Sequence, residues 1–409
     1  MSYEHLLTTD SGPHHAIPFT RGEIVQLLKE DDRIPLEELG SFNKFSNILK
    51  SIYHFEFHSK LEKIKNNYRY FNPDHTLKNL DDGIDNNQFH ACMQDIEKLL
   101  TDANYTPVTD NDIEISLSKE SIFPASSEVN FNDFSTYKLF YQGESRGASK
   151  IKRRIPFLKK IVRFEYFNRV ILLFRVKTLS ELDPNHKISD GLKPGKFYLK
   201  YFRNIPKLDL EMIFPDPKPK MKLSDKLQIG IPLGSGLVIM LKEFVYDPYI
   251  TKSSGSAFEE GIGVLVFGML FALFGYSYQT YDQYRITKLN MLKEISQGLY
   301  FKDIGNNESV ITALIDSAEE EESKEALLAY YFLLTAPAPL TSLDLDKIIE
   351  KWLKTKSRKN INFQINDSLN KLKRLGILKV NNLGSFSVLN VKDALHHLDR
   401  TWDTYFDYS

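Results

Sequence analysis

The sequence predicts an α+β fold in four parts: a helical N-terminal subdomain, a small mixed α/β section, a two-helix transmembrane hairpin, and a C-terminal helical region with a winged-helix-like domain. Three observations predict it. Apolar residues recur at three- and four-residue steps through much of the first hundred positions, the period of an amphipathic helix. Aromatic and β-branched runs follow between Tyr137 and Phe202, and these suit strands. Leu227 to Tyr281 then reads as two apolar segments joined by a short polar loop. The boundaries implied are 1–130, 131–222, 223–283 and 284–409.

Thr20 is the N-cap of a first helix, RGEIVQLLKE, with Glu23 completing a capping box. Pro35 opens a much longer helical pattern that runs to about Tyr70. Its apolar positions are Leu39, Phe42, Phe45, Ile48, Leu49, Ile52, Phe55 and Leu61. Pro73 stops it, because the residue before a proline is pushed out of the α region. A third helix over about Gln88–Ala103 carries Phe89, Cys92, Met93, Ile96, Leu99 and Leu100 on one face. Strands are expected at Tyr137–Tyr141, Phe164–Lys177 and Phe197–Phe202, and a further one at Leu208–Phe214.

The segment Gly261–Tyr281 has no ionisable group except tyrosine. At about 1.5 Å per residue it spans about 31 Å as a helix, close to a bilayer's hydrocarbon thickness. Leu227–Val245 is shorter in its charge-free core, because Lys242 and Glu243 interrupt it. Gly230 and Gly234, and Gly268 and Ala272, would let the two helices approach closely. Pro232 would kink or break the first. Lys218, Lys220, Lys222 and Lys226 before the pair, and Arg285, Lys288 and Lys293 after it, place both flanks on the cytoplasmic side. A bacterial cytoplasmic membrane is the expected location, with a mitochondrial membrane as the alternative. The N-terminus MSYEHLLTTD has no apolar signal core and no early cluster of positive charge.

Beyond the hairpin, helices are expected at Tyr284–Leu299, Glu308–Ala318, Ser323–Leu334, Leu343–Leu353 and Phe363–Leu375. A β-hairpin over Ile377–Leu389 turns at Asn381-Asn382-Leu383-Gly384, and a last amphipathic helix holds Leu395, Leu398, Trp402 and Phe406. Two helices followed by a hairpin resemble a winged helix-turn-helix.

Several blocks together carry a family resemblance: IKNNYRYFNPD (Ile64–Asp74), LLTDANY (Leu99–Tyr105), YLKYFRNIPKLDLEMIFP (Tyr198–Pro215), LYFKDIGNN (Leu299–Asn307) and SKEALLAYYFLL (Ser323–Leu334). In this order, over about residues 18–375, the chain resembles the transmembrane protein 143 family, whose domain is of unknown function. The resemblance implies a membrane protein and, for animal members, a mitochondrial address. It implies no chemistry.

The net charge of −1 excludes a globally basic nucleic-acid binder, but the charge is unevenly spread. Residues 1–145 carry 13 Lys/Arg against 24 Asp/Glu, whereas residues 146–177 carry 11 basic residues and one acid, Glu165. In Lys150–Arg163, the cations Lys150, Lys152, Arg153, Arg154, Lys159, Lys160 and Arg163 alternate with apolar residues. That pattern suits anionic lipid, a solvated loop or, less well, nucleic acid. A single cysteine, Cys92, excludes an internal disulfide and a Cys-based zinc site.

His54 and His58 stand one helical turn apart and can chelate a metal, though Glu56 lies off their face, and such histidines are more often surface or core groups. The adjacent pairs His14-His15 and His396-His397 do not share a helix face. Glu319–Glu322 followed by Lys324-Glu325 is better read as a solvated first helical turn than as a cation site. Residues 347–379 carry ten Lys/Arg against Glu350 and Asp367, with Lys371, Lys373 and Arg374 in the expected recognition helix. No nucleophile elbow, P-loop or dinucleotide fingerprint is present, so no cofactor and no catalytic residue is assigned. The resulting expectation is a two-span scaffold with a protein partner, contact with membrane lipids and room for homo-oligomers. The alternatives are a membrane-tethered nucleic-acid-binding regulator and an enzyme of unrecognised type.

Overall fold

The computed structural model describes residues 6–10, 15–75, 86–109, 112–113, 126–152, 159–182, 188–189, 191–215, 218–220 and 301–405, with scattered positions between 271 and 300. The chain divides into two units. The first holds Met1–Ile113, Phe131–Lys207 and Asp303–Ser409, and the second Glu114–Asn130 and Leu208–Lys302.

In the first unit, local signals set the ends of the helices. Thr20 caps α1 (Arg21–Lys29): its Oγ1 accepts from the Glu23 N–H at 3.3 Å, while the Glu23 carboxylate accepts from the Thr20 N–H at 2.8 Å. Pro35 precedes α2 (Leu36–Tyr68), which buries Phe42, Phe45, Leu49, Ile52, Tyr53, Phe57, Ile64 and Tyr68. Ile48 and Phe55, which share its apolar period, stay half-exposed on a second stripe. α3 (Asn86–Asp102) buries Phe89, Cys92, Met93, Ile96, Leu99 and Leu100.

The sheet is antiparallel, with strand order β1 (Leu6–Asp10), β4 (Phe134–Lys152), β5 (Lys159–Val176), β6 (Phe197–Pro206) and β8 (Asp303–Asn306). β2 (Thr106–Pro107) pairs on β4. β3 (Ser126–Glu128) and β7 (Lys218–Lys220) form a separate antiparallel pair in the second unit. Val170–Val176 (VILLFRV) is buried throughout, as a β-branched and aromatic run in a central strand demands.

Polar bolts join sheet to helices. The Tyr68 hydroxyl donates to the Phe197 carbonyl at 2.8 Å. Asn307, held at φ +53°, accepts from the Leu199 N–H and donates to Asp74 at 2.8 Å. Phe140, Ile171, Leu173, Phe197, Leu199 and Tyr201 enter the same apolar core as the helices.

The centre of that core is α4 (Glu308–Leu334), against which α1, α2 and α3 pack, together with α5 (Ser342–Ser357) and α6 (Ile365–Arg374). Phe45 stacks on Tyr330 at 4.0 Å between ring centroids, and Phe332 meets Trp352 edge-on at 5.8 Å. The chain closes with the hairpin β9 (Leu378–Val380) and β10 (Phe386–Val388), then α7 (Val391–Thr404). Leu340 bridges Phe386 through two backbone hydrogen bonds of 3.0 and 2.7 Å. Gly376 ends α6 at φ +70°, and a Cβ there would collide with the His397 ring, so this turn needs glycine twice over.

The structure corrects the expected fold class. It is mixed α/β around an antiparallel sheet, and among the described residues no helix is long and apolar enough to cross a membrane. The two-helix transmembrane hairpin is therefore not supported, and the membrane placement that rested on it loses that support. Residues 221–270, with Gly230, Pro232, Gly234 and Gly268, lie outside the described residues, as does Ala272. The physical reason for the mistaken expectation is that apolar length is shared by membrane spans and buried core helices. The apolar run Ala326–Leu333 in α4 is of the second kind, buried inside the first unit.

Two smaller corrections follow. In place of the strand expected at Leu208–Phe214, Lys207–Ile213 forms 3₁₀ turns with a kink at Asp209. The two helices expected on either side of Glu319–Glu322 are one, α4. Tyr284–Leu299 lies largely outside the described residues.

Candidate functional site

The acidic run of α4 is interior to the helix, not its first turn, and Glu321 within it is buried, as are Lys324 and Glu325 just after it. Glu321 is 7 % exposed, Lys324 3 % and Glu325 3 %. A helix face can carry such groups inward only if each charge meets a partner there. Lys324 Nζ donates to the carbonyls of Ile17 and Phe19, both at 3.0 Å, and to Glu321 at 2.7 Å. The second oxygen of Glu321 accepts from the Ile17 N–H at 3.1 Å and from Asn104 at 3.3 Å. Asn104 also donates to Glu325 at 2.8 Å, and its own carbonyl oxygen accepts from Gln364 at 2.9 Å.

On the other side of Glu325 stands Lys371 of α6, 5 % exposed. Its ammonium lies 2.5 Å from Glu325, 3.0 Å from Glu322 and 2.7 Å from Asp367. The network thus ties four chain segments together: the stretch before α1, the turn after α3, the middle of α4, and α6.

Its charge balance is uneven. Within the buried set, Glu321, Glu322 and Glu325 face Lys324 and Lys371. Burial pushes the Lys371 ammonium towards neutrality, but Glu325, Glu322 and Asp367 outweigh it and hold the group charged. Burial pushes Glu322 up to about 7 against the pull of Lys371, helped by Asp102 and Glu325. Lys371 attracts Glu322 and yet Glu322 is raised. The two directions agree because burial outweighs the attraction of Lys371, and burial likewise raises Glu321 against the pull of Lys324.

α6 is the helix that would serve as recognition helix under the alternative reading, a nucleic-acid-binding regulator. Lys371 is spent on the buried network. Arg374 pairs with Glu56 of α2 at 2.7 Å and lies over the Tyr53 ring, and Tyr405 donates to the same Glu56 at 2.8 Å. Only Lys373 of the three is exposed without a carboxylate partner given by the structure, beside the exposed Asn366, Asp367 and Asn370.

A second feature lies where α7 runs beside α2. Two adjoining clefts, of about 510 and 320 Å³, share Ser51 and Trp402. Ile48 and Leu395 line the first and Phe55 the second, and Phe55 meets Trp402 edge-on at 5.9 Å. His54 and His58 lie side by side here, ring centroids 6.4 Å apart, with His54 Nδ1 3.0 Å from Glu319. His396 lines the neighbouring cleft. Among the described residues no group of three His, Cys, Asp or Glu is arranged to hold a metal. The neighbour of His396, His397, instead packs at Gly376.

The basic stretch 150–163 belongs to the outer end of the β4–β5 hairpin. Its backbone register pairs Lys152 with Lys159, Ile151 with Lys160 and Ala148 with Arg163. Arg153 and Arg154 lie outside the described residues. Sequence reasoning missed the roles of Glu321, Glu325, Lys324, Asn104 and Gln364. The available signal was Lys324 amid five acids, Glu319–Glu322 and Glu325, just ahead of an apolar run, since a lone cation there points to internal pairing.

A family model described as "Protein of unknown function (DUF3754)" matches residues 167–309, from β5 through β8. It carries no link to the transmembrane protein 143 family. No solved structure matches the chain.

Proposed function

We propose that this chain is an interaction protein, a scaffold whose C-terminal region serves protein contact and not nucleic-acid readout. The observation that carries the reading is the fate of the α6 cations. A nucleic-acid reader keeps such lysines and arginines free for phosphates, because counterion release supplies most of its affinity. Here Lys371 and Arg374 are neutralised by Glu325, Glu322, Asp367 and Glu56. The order α4, the bridging residue Leu340, α5, α6, β9, β10 supports reading residues 326–389 as winged-helix-like, a module that serves protein contact as readily as DNA.

The test has two arms. Duplex DNA titrated with the full chain at low salt should give no binding with a steep salt dependence. Cross-linking in cells, followed by purification, should recover a protein in constant ratio to the chain. Tight DNA binding that weakens steeply between about 50 and 200 mM salt would overturn the reading in favour of a nucleic-acid regulator. So would repeated purification without any stoichiometric protein.

A further inference from the structure

We propose that Arg175, lying at the first turn of α3, is a binding site for a carboxylate group supplied from outside this chain. The inference goes beyond the scaffold reading and does not depend on which partner the C-terminal region takes.

The strand period turns this arginine inward. Successive side chains of β5 alternate between the two faces of the sheet, so Ile171, Leu173 and Arg175 share one side. Ile171 and Leu173 enter the core beneath the helices, and Arg175 follows them at 5 % exposed. A cation at such a position needs an acid opposite it. Its neighbours across the sheet are Thr136 on β4 and Phe197 on β6. From α3, Asn86 Oδ1 accepts from Nη1 at 3.1 Å, and the Phe89 ring centroid lies 4.4 Å from the guanidinium carbon. None of these four residues is an acid. Nε is buried without a hydrogen-bond partner. Among the described residues no ion pair reaches Arg175; the charge acting on it is Glu181, and burial outweighs that attraction. The Glu181 carboxylate is itself held by the Thr178 N–H at 2.8 Å and the Thr178 hydroxyl at 3.0 Å.

The geometry also says what fits. With Nη1 turned to Asn86, the side-on edge of the guanidinium, Nε with Nη2, is the one left over. That edge takes the two oxygens of one anion through parallel hydrogen bonds. The guanidinium stands at the start of a 17-residue helix with no acid in its first turn. There the first N–H groups lack helical partners and the dipole favours negative charge. Asn86 is exposed while the Arg175 it bonds is buried, so the guanidinium lies one residue below the surface and an anion reaches it past Asn86. The charge on offer is one guanidinium, partly offset by Glu181, which matches a monoanion better than a phosphate dianion. Free carboxylic acids and the acidic side chains of proteins both carry that group, and the test separates them.

Thermal unfolding of the full chain is followed as sodium acetate replaces sodium chloride at fixed ionic strength, beside Arg175→Met and Arg175→Lys. Acetate should raise the wild-type midpoint by about 2 °C and then saturate, as binding to the folded state alone requires. It should leave Arg175→Met unmoved, and Arg175→Lys, which keeps the charge without the fork, should need about tenfold more acetate. In chloride alone, Arg175→Met should melt no more than about 2 °C below the wild type, because it removes a buried cation that the chain leaves without an acid. A second arm titrates a capped Gly-Glu-Gly peptide against its Gly-Gln-Gly counterpart. A tighter response to acetate marks a free acid as the ligand, a tighter response to the glutamyl peptide marks a protein side chain, and either supports the site. No response to acetate or to the glutamyl peptide would overturn it. So would equal, unsaturated rises in wild type and Arg175→Met, the mark of a general salt effect. A tighter response to phosphate, or a much larger loss of stability in Arg175→Met, would do the same, the latter by showing the charge to be neutralised from within.

Discussion

Lys371 shows how much a single buried cation can hold. Removing it leaves Glu325 and Glu322 facing each other across a desolvated site, and a buried charge stripped of its partner costs about 3–5 kcal/mol. Lys371→Met should therefore lower unfolding stability by about that amount, read from the urea midpoint at constant slope. Adding Glu325→Gln to Lys371→Met should recover part of the loss, because the unpaired charge goes with it. No recovery would mean that Lys371 acts through packing alone. Glu322 supplies the pH dependence at this scale. Its pKa is about 7 folded, against an ordinary value of 4.5, so between those limits the folded chain binds a proton that the unfolded chain has released. The stability from Glu322 is thus fully present below about pH 4.5 and is lost as pH rises through 7, by roughly 3 kcal/mol in all. Glu322→Gln should flatten the stability profile between pH 5 and 7.5, measured by thermal or urea unfolding across that range. An unchanged slope would place the surplus proton elsewhere in the network.

At the level of elements, α4 separates two readings of one stretch. If Glu319 opened a helix, proline there would be well tolerated, since the first turn has spare N–H groups. In the middle of Glu308–Leu334 the same change removes an intrahelical hydrogen bond and clashes with the preceding turn, at about 3 kcal/mol or more. Glu319→Pro should accordingly lower the melting temperature far more than Glu319→Ala, which loses the contact with His54 and the attraction to Arg21 but keeps the helix backbone. The hairpin and cap elements were easier to foresee. Thr20 with Glu23, Pro35 ahead of α2, and the Asn381–Gly384 turn are all sequence-local devices, and each stands where its residues placed it. The same locality explains the error at Leu208–Phe214, where an alternating apolar pattern met a backbone that turns at Asp209.

For the molecule as a whole, the first unit is assembled from three separated stretches of chain around one core that runs from Ile17 to Leu398. Tyr330, Phe332 and Glu325, which α5, α6 and the segment before α7 need as partners, come from α4. A fragment of residues 335–409 should therefore lack the amide-exchange protection that these residues show in the full chain, whereas a fragment beginning at 308 should regain part of it. Full protection in the shorter fragment would show an independent domain.

What the sequence determined by itself was everything carried by neighbours within a few positions: helix and strand periods, caps, turns, and the apolar faces of α2 and α3. Ile48 and Phe55 obeyed the same period as the core residues, yet only the packing of α7 alongside α2 decided that they line a groove. Glu321, Glu322 and Glu325 look like solvated acids to any local rule. Their partners, Ile17, Asn104 and Lys371, lie 304, 217 and 46 residues away along the chain. Burial of a charge depends on what long-range folding brings opposite it, and no period or composition encodes that distance.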